Sequence, residues 1–339
     1  MNHLWRLCLP LLLALVAGGL VLVILGKDPL AYYFYVLDRG ILSWGGLQET
    51  LTRMAPLLLI AAGLIVAFRA GIWNLGGDGQ YLLAAVVTAA LAPALIGFVP
   101  RGLTLILCML AATLVGALWS LLPAFLKARY GINEIITSLM MSFLGISLAN
   151  VLVKLFFWDP ATTVPQTRTL DIASRLPRIS GSNIHIGLLI ALCLVVLVHL
   201  LMTRTAFGLK LQVVGASPAA ARHAGLKVGF LTVATFALSA GLIGLAGAVE
   251  ILGVWGNVRA DWNPAYGMLV VPLVFLARMN GLAVIGFTFF FAALMIGGES
   301  AARRIGVPQD FVLLLMGLVL AFLGLVEYLD HRHQMRAAA

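Results

Sequence analysis

The sequence predicts an all-α polytopic membrane protein of about ten transmembrane helices, each taking about 20 residues. Three observations carry that expectation. Of 339 residues, 62% are apolar and only 10% are charged, whereas a soluble domain averages roughly 45–50% apolar and about 25% charged. The mean hydropathy is +1.06. The apolar residues also fall into runs long enough to cross a bilayer. So few ionic groups cannot cover a water-exposed surface, which excludes a soluble enzyme, a secreted scaffold and a disordered chain.

In chain order, spanning runs are expected at about 4–26, 47–69, 79–99, 102–127, 132–157, 184–203, 229–253 and 308–329. The first, apolar from Leu7 to Leu25 after Arg6, is longer than the roughly 7–15 residues of a secretory core. It reads as an uncleaved helix. Between Pro264 and Gly298 the apolar stretch is interrupted by Arg278-Met279-Asn280-Gly281. That stretch is too long for one span and splits into two short helices, about 265–279 and 281–298. An even number of spans puts both termini on one side, here taken as cytoplasmic, although Lys and Arg divide evenly between the two sides and the positive-inside rule does not choose. The expected organisation is one transmembrane domain over 1–339: a first helix, a repeat at about 47–157, an outer loop at 159–183, a basic loop at 204–228 and a second repeat at about 229–329.

The net charge of +9 comes from basic residues placed singly between apolar runs, which points to lipid contact and orientation rather than to nucleic acid. Cys8, Cys108 and Cys193 lie in apolar stretches without metal or redox spacing and read as small buried hydrophobes. Trp5, Trp44, Trp73, Trp158 and Trp262 fall near span ends and read mostly as interface anchors.

Within the basic loop, Ser217 can cap a short helix whose first residue is Pro218, and Gly225 can end it. A helix lying between two spans and a plain solvated connector are both compatible with that pattern. The chain also has two polar breaks. One is Gly71-Ile72-Trp73-Asn74-Leu75-Gly76-Gly77-Asp78-Gly79-Gln80, and the other runs from Trp255 to Pro264. They follow helices that point in opposite directions in a ten-span arrangement. Broken helices at matching places in inverted repeats mark a translocation path.

Catalytic signatures are missing. No Gly-x-x-x-x-Gly-Lys-Ser/Thr loop, His-Glu-x-x-His pair or Gly-x-Ser-x-Gly elbow occurs, so nucleotide or acyl chemistry on this chain is not indicated. No metal site is expected, and His331-Arg332-His333 reads as a solvated tail. Polar groups inside spans are costly unless paired or facing water, which makes the exceptions candidate sites. Asp78, flanked by Asn74 and Gln80, is either a gate element or the cap of the next helix. Glu250, with Trp255 and Asn257 beyond it, is either solvated at the interface or part of the solute path. Glu134, following Asn133, sits where a carboxylate favours a helix N-terminus.

Phe68 through Gln80 is similar to the "FRAGLFNIGAEGQ" signature of ABC transporter permeases of the nucleoside and simple-sugar uptake group, related to the ribose and branched-chain amino acid permeases. Lys127-Ala128-Arg129-Tyr130-Gly131-Ile132-Asn133-Glu134-Ile135-Ile136, the loop Gly208 to Gly225, Ala265-Tyr266-Gly267 and Gly297 through Phe322 extend the resemblance to most of the chain from about residue 47. Asp78 stands where the group usually has Glu, Trp73 where it has Phe, and Asn280-Gly281 where Asn-Pro is common.

The resemblance implies a type II importer permease, here for a nucleoside or related nucleobase compound, with a simple sugar as the alternative cargo. It also implies a second, similar permease, cytoplasmic ATPase subunits that hold the ATP and Mg, and a substrate-binding lipoprotein or periplasmic protein. No cofactor is expected on this chain. Gly208, Gly215, Ser217, Ala219, Ala220, Arg222 and Gly225 would then form the coupling segment that docks on the ATPase, which is why that loop is placed in the cytoplasm. Asn74, Asp78, Gln80, Glu250 and Asn257 would line or gate the path. An ion-coupled carrier using Asp78 and Glu250 is the rival from another class, and a non-transporting membrane scaffold is a further one.

Overall fold

The structure, a computed structural model, describes residues 3–308 and 311–338, with side chains described from residue 9 and not at 320, 327 or 330–338. The readings of Trp5, Cys8 and His331-Arg332-His333 concern side chains outside that description. Helices account for the fold; among the described residues the only β features are isolated bridges.

The chain begins with α1 (His3–Ile24) and a short α2 (Pro29–Leu37) that the apolar pattern did not mark. Asp28 caps α2 by accepting the Leu30 N–H at 2.9 Å, and Pro29 occupies its first position. That Asp-Pro pair is a start signal legible in the sequence. After a π-helical turn over Asp38–Leu42 comes the central helix α3 (Trp44–Arg69). It is followed by α4 (Gly77–Leu95), α5 (Arg101–Trp119), α6 (Leu121–Tyr130) and α7 (Glu134–Val151). The Asn133 side chain caps α7 through Ile135 N, and Lys127 pairs with Glu134 at 2.7 Å, across the α6–α7 turn.

A long irregular connection leads to α8 (Gly187–Arg204). Two short helices follow, α9 (Ala206–Ala216) and α10 (Pro218–His223). The Ser217 hydroxyl accepts the Ala220 N–H at 3.2 Å, and Gly225 has φ +78°. The loop therefore holds two helices, not a plain connector. Then come α11 (Val228–Glu250), α12 (Tyr266–Leu276), α13 (Ala283–Ile305) and α14 (Phe311–Ala338).

The stretch between Pro264 and Gly298 divides as expected, but unequally. The first piece stops after 11 residues, while the second runs 23 residues and continues past Gly298 to Ile305. The break between them is stabilised by the Arg69 side chain, whose Nε donates to Met279 O at 3.0 Å. Among the described residues, seven helical stretches are long and apolar enough to cross a membrane alone, with shorter apolar helices beside them.

The bundle is layered around α3 and α11. Each packs on the other, and α11 also packs on α4 and α5. A Cβ added at Gly63 would come within 2.5 Å of Ser239 O, and one at Gly244 within 2.3 Å of Ala112 O. Small residues thus let the backbones touch, which is how helices associate where lipid supplies no hydrophobic drive. The helices α5, α7 and α8 turn leucines and phenylalanines outward. This corrects the reading of Cys193, which is exposed on α8 while Cys108 is buried. A lipid-facing surface is as apolar as the core, so an apolar run does not tell which residues are buried.

Lys27, just after α1, donates at 2.8 Å to the carbonyl of Ile305, the last residue of α13. The C-terminal ends of α1 and α13 therefore meet at one end of the bundle. At that same end the 157–186 connection pairs with the segment after α11, through Thr167 N to Val258 O at 2.9 Å and Leu170 N to Gly256 O at 2.9 Å.

Candidate functional site

The first break is a buried polar knot. After α3, Gly71 turns the chain with φ +68°, and residues 72–76 run without helix until α4 begins. Non-helical backbone at membrane depth requires internal partners, and the neighbouring helices supply them. On α7, the Ser138 hydroxyl accepts the Leu75 N–H at 3.1 Å and the Ser142 hydroxyl accepts the Gly79 N–H at 3.2 Å. Asn74, almost completely buried, exchanges two hydrogen bonds with Gln80: Asn74 Nδ2 donates to Gln80 Oε1 at 3.1 Å, and Gln80 Nε2 donates to Asn74 Oδ1 at 3.0 Å. Asn74 Nδ2 also donates to the Ser239 hydroxyl of α11 at 3.1 Å. The break is thus locked to both α7 and α11.

Asp78 lies in the first turn of α4, yet its carboxylate does not cap its own helix. Oδ1 accepts the N–H of Gly267, in the first turn of α12, at 2.6 Å. A Cβ at Gly77 would come within 3.0 Å of Gly267 Cα. The helices that follow the two sequence breaks therefore meet N-terminus to N-terminus, with one carboxylate between their positive ends.

Beyond Gly267 stands a second polar cluster. Arg53 on α3 donates through Nη1 to Glu250 Oε1 at 3.3 Å, at the end of α11, and to the Tyr266 hydroxyl. The Trp255 indole N–H donates to the same Glu250 oxygen at 2.9 Å. Glu250 is fully buried, so of its two readings the solvated one fails. Trp262, expected at the interface, instead turns inward, 6.0 Å from the Tyr81 ring and 6.2 Å from the Trp255 ring. Glu250 Oε2 and the Tyr81 hydroxyl have no hydrogen-bond partner among the described residues.

Asn257 stands apart from this cluster; its Nδ2 donates to the Thr169 hydroxyl at 3.0 Å and ties the second break to the 157–186 connection. Arg53, Tyr266, Ser138, Ser142 and Ser239 are site residues the sequence reading did not single out. Arg53 carried a signal, a lone cation inside an apolar run. The serines carried none, since serine is common in packed membrane helices.

At the opposite end of the bundle, α9 lies directly on the first break. A Cβ at Gly215 would come within 2.8 Å of Gly71 N, and one at Gly71 within 2.9 Å of Gly215 Cα. Gly208 packs as closely at the α8–α9 elbow, where a Cβ would meet Leu201 O at 2.4 Å. Ala219, Ala220, Arg222 and Gly225 are exposed, and Ala221 is the side of α10 that is buried. A cavity of about 550 Å³ opens between the two elements, lined by Gly71, Lys127, Gly215 and Arg222 among others.

Over residues 46–324 the chain matches the family described as the permease component of the branched-chain amino acid transport system. It is 34% identical to the glucose ABC transporter permease protein TsgB13 of Haloferax volcanii, over 94% of this chain and 87% of that one. It is 24% identical to the guanosine ABC transporter permease protein NupP of Bacillus subtilis, over 95% and 93% of the two chains. With the nucleoside ABC transporter permease protein NupB of Lactococcus lactis the identity is 26%, over 95% and 92%.

Proposed function

Because the chain belongs to the permease-component family of branched-chain amino acid transport systems, matched over residues 46–324, we propose that it translocates a nucleoside or related nucleobase compound as one half of an ATP-driven importer. It is an ABC permease of that family, a membrane-spanning subunit that does not itself catalyse. The partners follow from this reading: a second permease, a cytoplasmic ATPase that holds the ATP and Mg, and a binding protein that delivers the solute. The nucleoside cargo rests on the guanosine and nucleoside permeases matched over more than nine-tenths of this chain. A simple sugar is the second reading, favoured by the 34% identity to a glucose permease.

The observation that carries the mechanism is the continuous contact from the α9 elbow to the second break. Gly215 presses on Gly71, the break that follows is held by Asn74, Asp78 accepts from Gly267, and Tyr266 adjoins the Arg53–Glu250 pair. In this reading Gly208, Gly215, Ser217, Ala219, Ala220, Arg222 and Gly225 form the coupling segment, and the exposed face of α10 docks on the ATPase. Closing the ATPase dimer moves α9. Since packed cores are bistable rather than continuously deformable, that displacement re-aims the starts of α4 and α12 together. The α9–α10 end and both termini then face the cytoplasm, with the chain in the inner membrane.

The test is reconstitution of the complex with its ATPase, second permease and binding protein in proteoliposomes, followed by uptake of labelled inosine and D-glucose. ATP-dependent inosine uptake is expected. Uptake driven by an ion gradient in vesicles that lack the ATPase overturns the reading.

A further inference from the structure

A second cavity, of about 420 Å³, opens at the Trp255 end of the bundle, between α3, α12, α13, α14 and the second break. We infer that it binds the hydroxylated ring of a neutral solute, either a free sugar or the ribosyl group of a nucleoside. This rests on the importer reading above. The volume falls in the range of roughly 300–1,000 Å³ that small-molecule sites occupy.

Its chemistry is specific. Trp255 and Trp262 form a corner of two indoles at 64° to each other, with Tyr266 beneath. Sugar C–H faces and nucleobases both stack on such walls, and a rigid aromatic corner loses little entropy in holding them. Arg53 lines the cavity, and among the described residues its hydrogen bonds all leave from Nη1. A guanidinium has five N–H donors in a fixed fork, so Nη2 and Nε have donors to spare for vicinal hydroxyls. Glu299, on the α13 wall one turn before Arg303, supplies an acceptor.

The charges identify the solute as neutral. Among the described residues, Arg53 and Arg303 are balanced by Glu299 on the wall and by Glu250 behind Arg53. With Arg53 already paired to a fully buried carboxylate, neither an anion nor a cation gains a net field, while dipolar hydroxyls find both donors and acceptors. The floor of the cavity is Tyr266, whose neighbour Gly267 contacts Asp78. A ring seated there lies against the element that the coupling segment moves.

The experiment measures KM and maximal rate of inosine and D-glucose uptake by the complete importer carrying Trp262→Ala, Glu299→Gln or Arg53→Lys. Lysine keeps a charge opposite Glu250 but loses the fork. Trp262→Ala is expected to raise KM about three- to tenfold, the loss of one stacking wall, and Glu299→Gln and Arg53→Lys to raise it for the solute that is carried. The larger change falls in KM, whereas a purely structural residue lowers maximal rate and complex yield. Which probe saturates distinguishes the free sugar from the nucleoside. Wild-type uptake with KM within twofold in all three variants overturns the site while leaving the importer reading intact. Wild-type vesicles that take up neither probe overturn both.

Discussion

Asp78 Oδ1 accepts the Gly267 N–H at 2.6 Å, so a single carboxylate occupies the first turns of two helices 189 residues apart in sequence. Its own helix, α4, and its partner, α12, both direct positive dipole ends at it, each worth about 0.3–1 kcal/mol. Asp78→Asn keeps an acceptor and removes the charge, and is expected to cost about 1 kcal/mol. Asp78→Ala leaves the Gly267 N–H without an acceptor and is expected to cost about 1–3 kcal/mol. Thermal unfolding of the purified protein in detergent measures both. Equal midpoints for wild type, Asn and Ala would show that the bond bears no weight.

The same contact makes Gly267→Ala a test of geometry. A Cβ there would lie 2.5 Å from Asp78 N and 2.7 Å from Gly77 C, both backbone atoms that cannot rotate away. The α4 and α12 starts must then separate. We expect uptake to be lost even where the importer still assembles, measured as ATP-dependent uptake per assembled complex. Uptake at the wild-type rate would mean that the two breaks move independently.

At the other end, Gly215→Ala pushes a methyl group against Arg69 O and Gly71 N, each 2.8 Å from the new Cβ. If α9 transmits ATPase motion to the first break, the variant hydrolyses ATP with its partner but transports several-fold less solute per ATP. Deletion of 217–224, by contrast, removes α10 and should abolish ATPase co-purification. Co-purification at wild-type yield from the deletion would remove α10 from the docking surface.

The Arg53–Glu250 pair gives a prediction of opposite signs. Removing one partner of a buried ion pair typically costs about 3–5 kcal/mol because it strands the other charge. Arg53→Gln leaves Glu250 at full burial without its cation and is expected to destabilise strongly. The double variant Arg53→Gln with Glu250→Gln strands no charge and should recover much of the loss. A double-mutant cycle of unfolding midpoints checks this, and additive losses would show that the pair is not coupled.

How much of this was legible in the sequence depends on the kind of residue. The spans were legible because an apolar run must be long to cross a bilayer: α3 was expected at 47–69 and occupies Trp44–Arg69. The Asn74-to-Gln80 break was legible because polar residues and glycines interrupt such runs. Its partners were not, since nothing local connects Asn74 to Ser239 or Asp78 to Gly267. Arg53 shows the same blindness. A lone cation in an apolar helix announces that it has a partner, but Glu250 lies 197 positions away. The short α2 was missed for a different reason: nine aromatic-rich residues between Asp28 and Asp38 are too few to register as a span.

His185 gives the last prediction, at the Trp255 end and outside the membrane-crossing helices. Its ring is buried against Gly187 and Gly253, where a Cβ at Gly253 would meet Nε2 at 2.6 Å. Burial, with Arg178 nearby, pushes the imidazole down from 6.5 to about 4. Between those values the unfolded chain binds the proton and the folded chain does not, so stability falls as the pH drops through that window. The loss reaches about 3 kcal/mol at its acid end, and above pH 6.5 this histidine adds no pH dependence. His185→Asn removes the titration while keeping an acceptor for the Gly187 N–H, which Nδ1 now receives at 3.1 Å. The unfolding midpoint in detergent should therefore fall less steeply between pH 6.5 and 4 in the variant than in the wild type. Parallel curves would mean that other groups carry the acid sensitivity, because only the difference between the two proteins isolates this ring from the carboxylates that titrate alongside it.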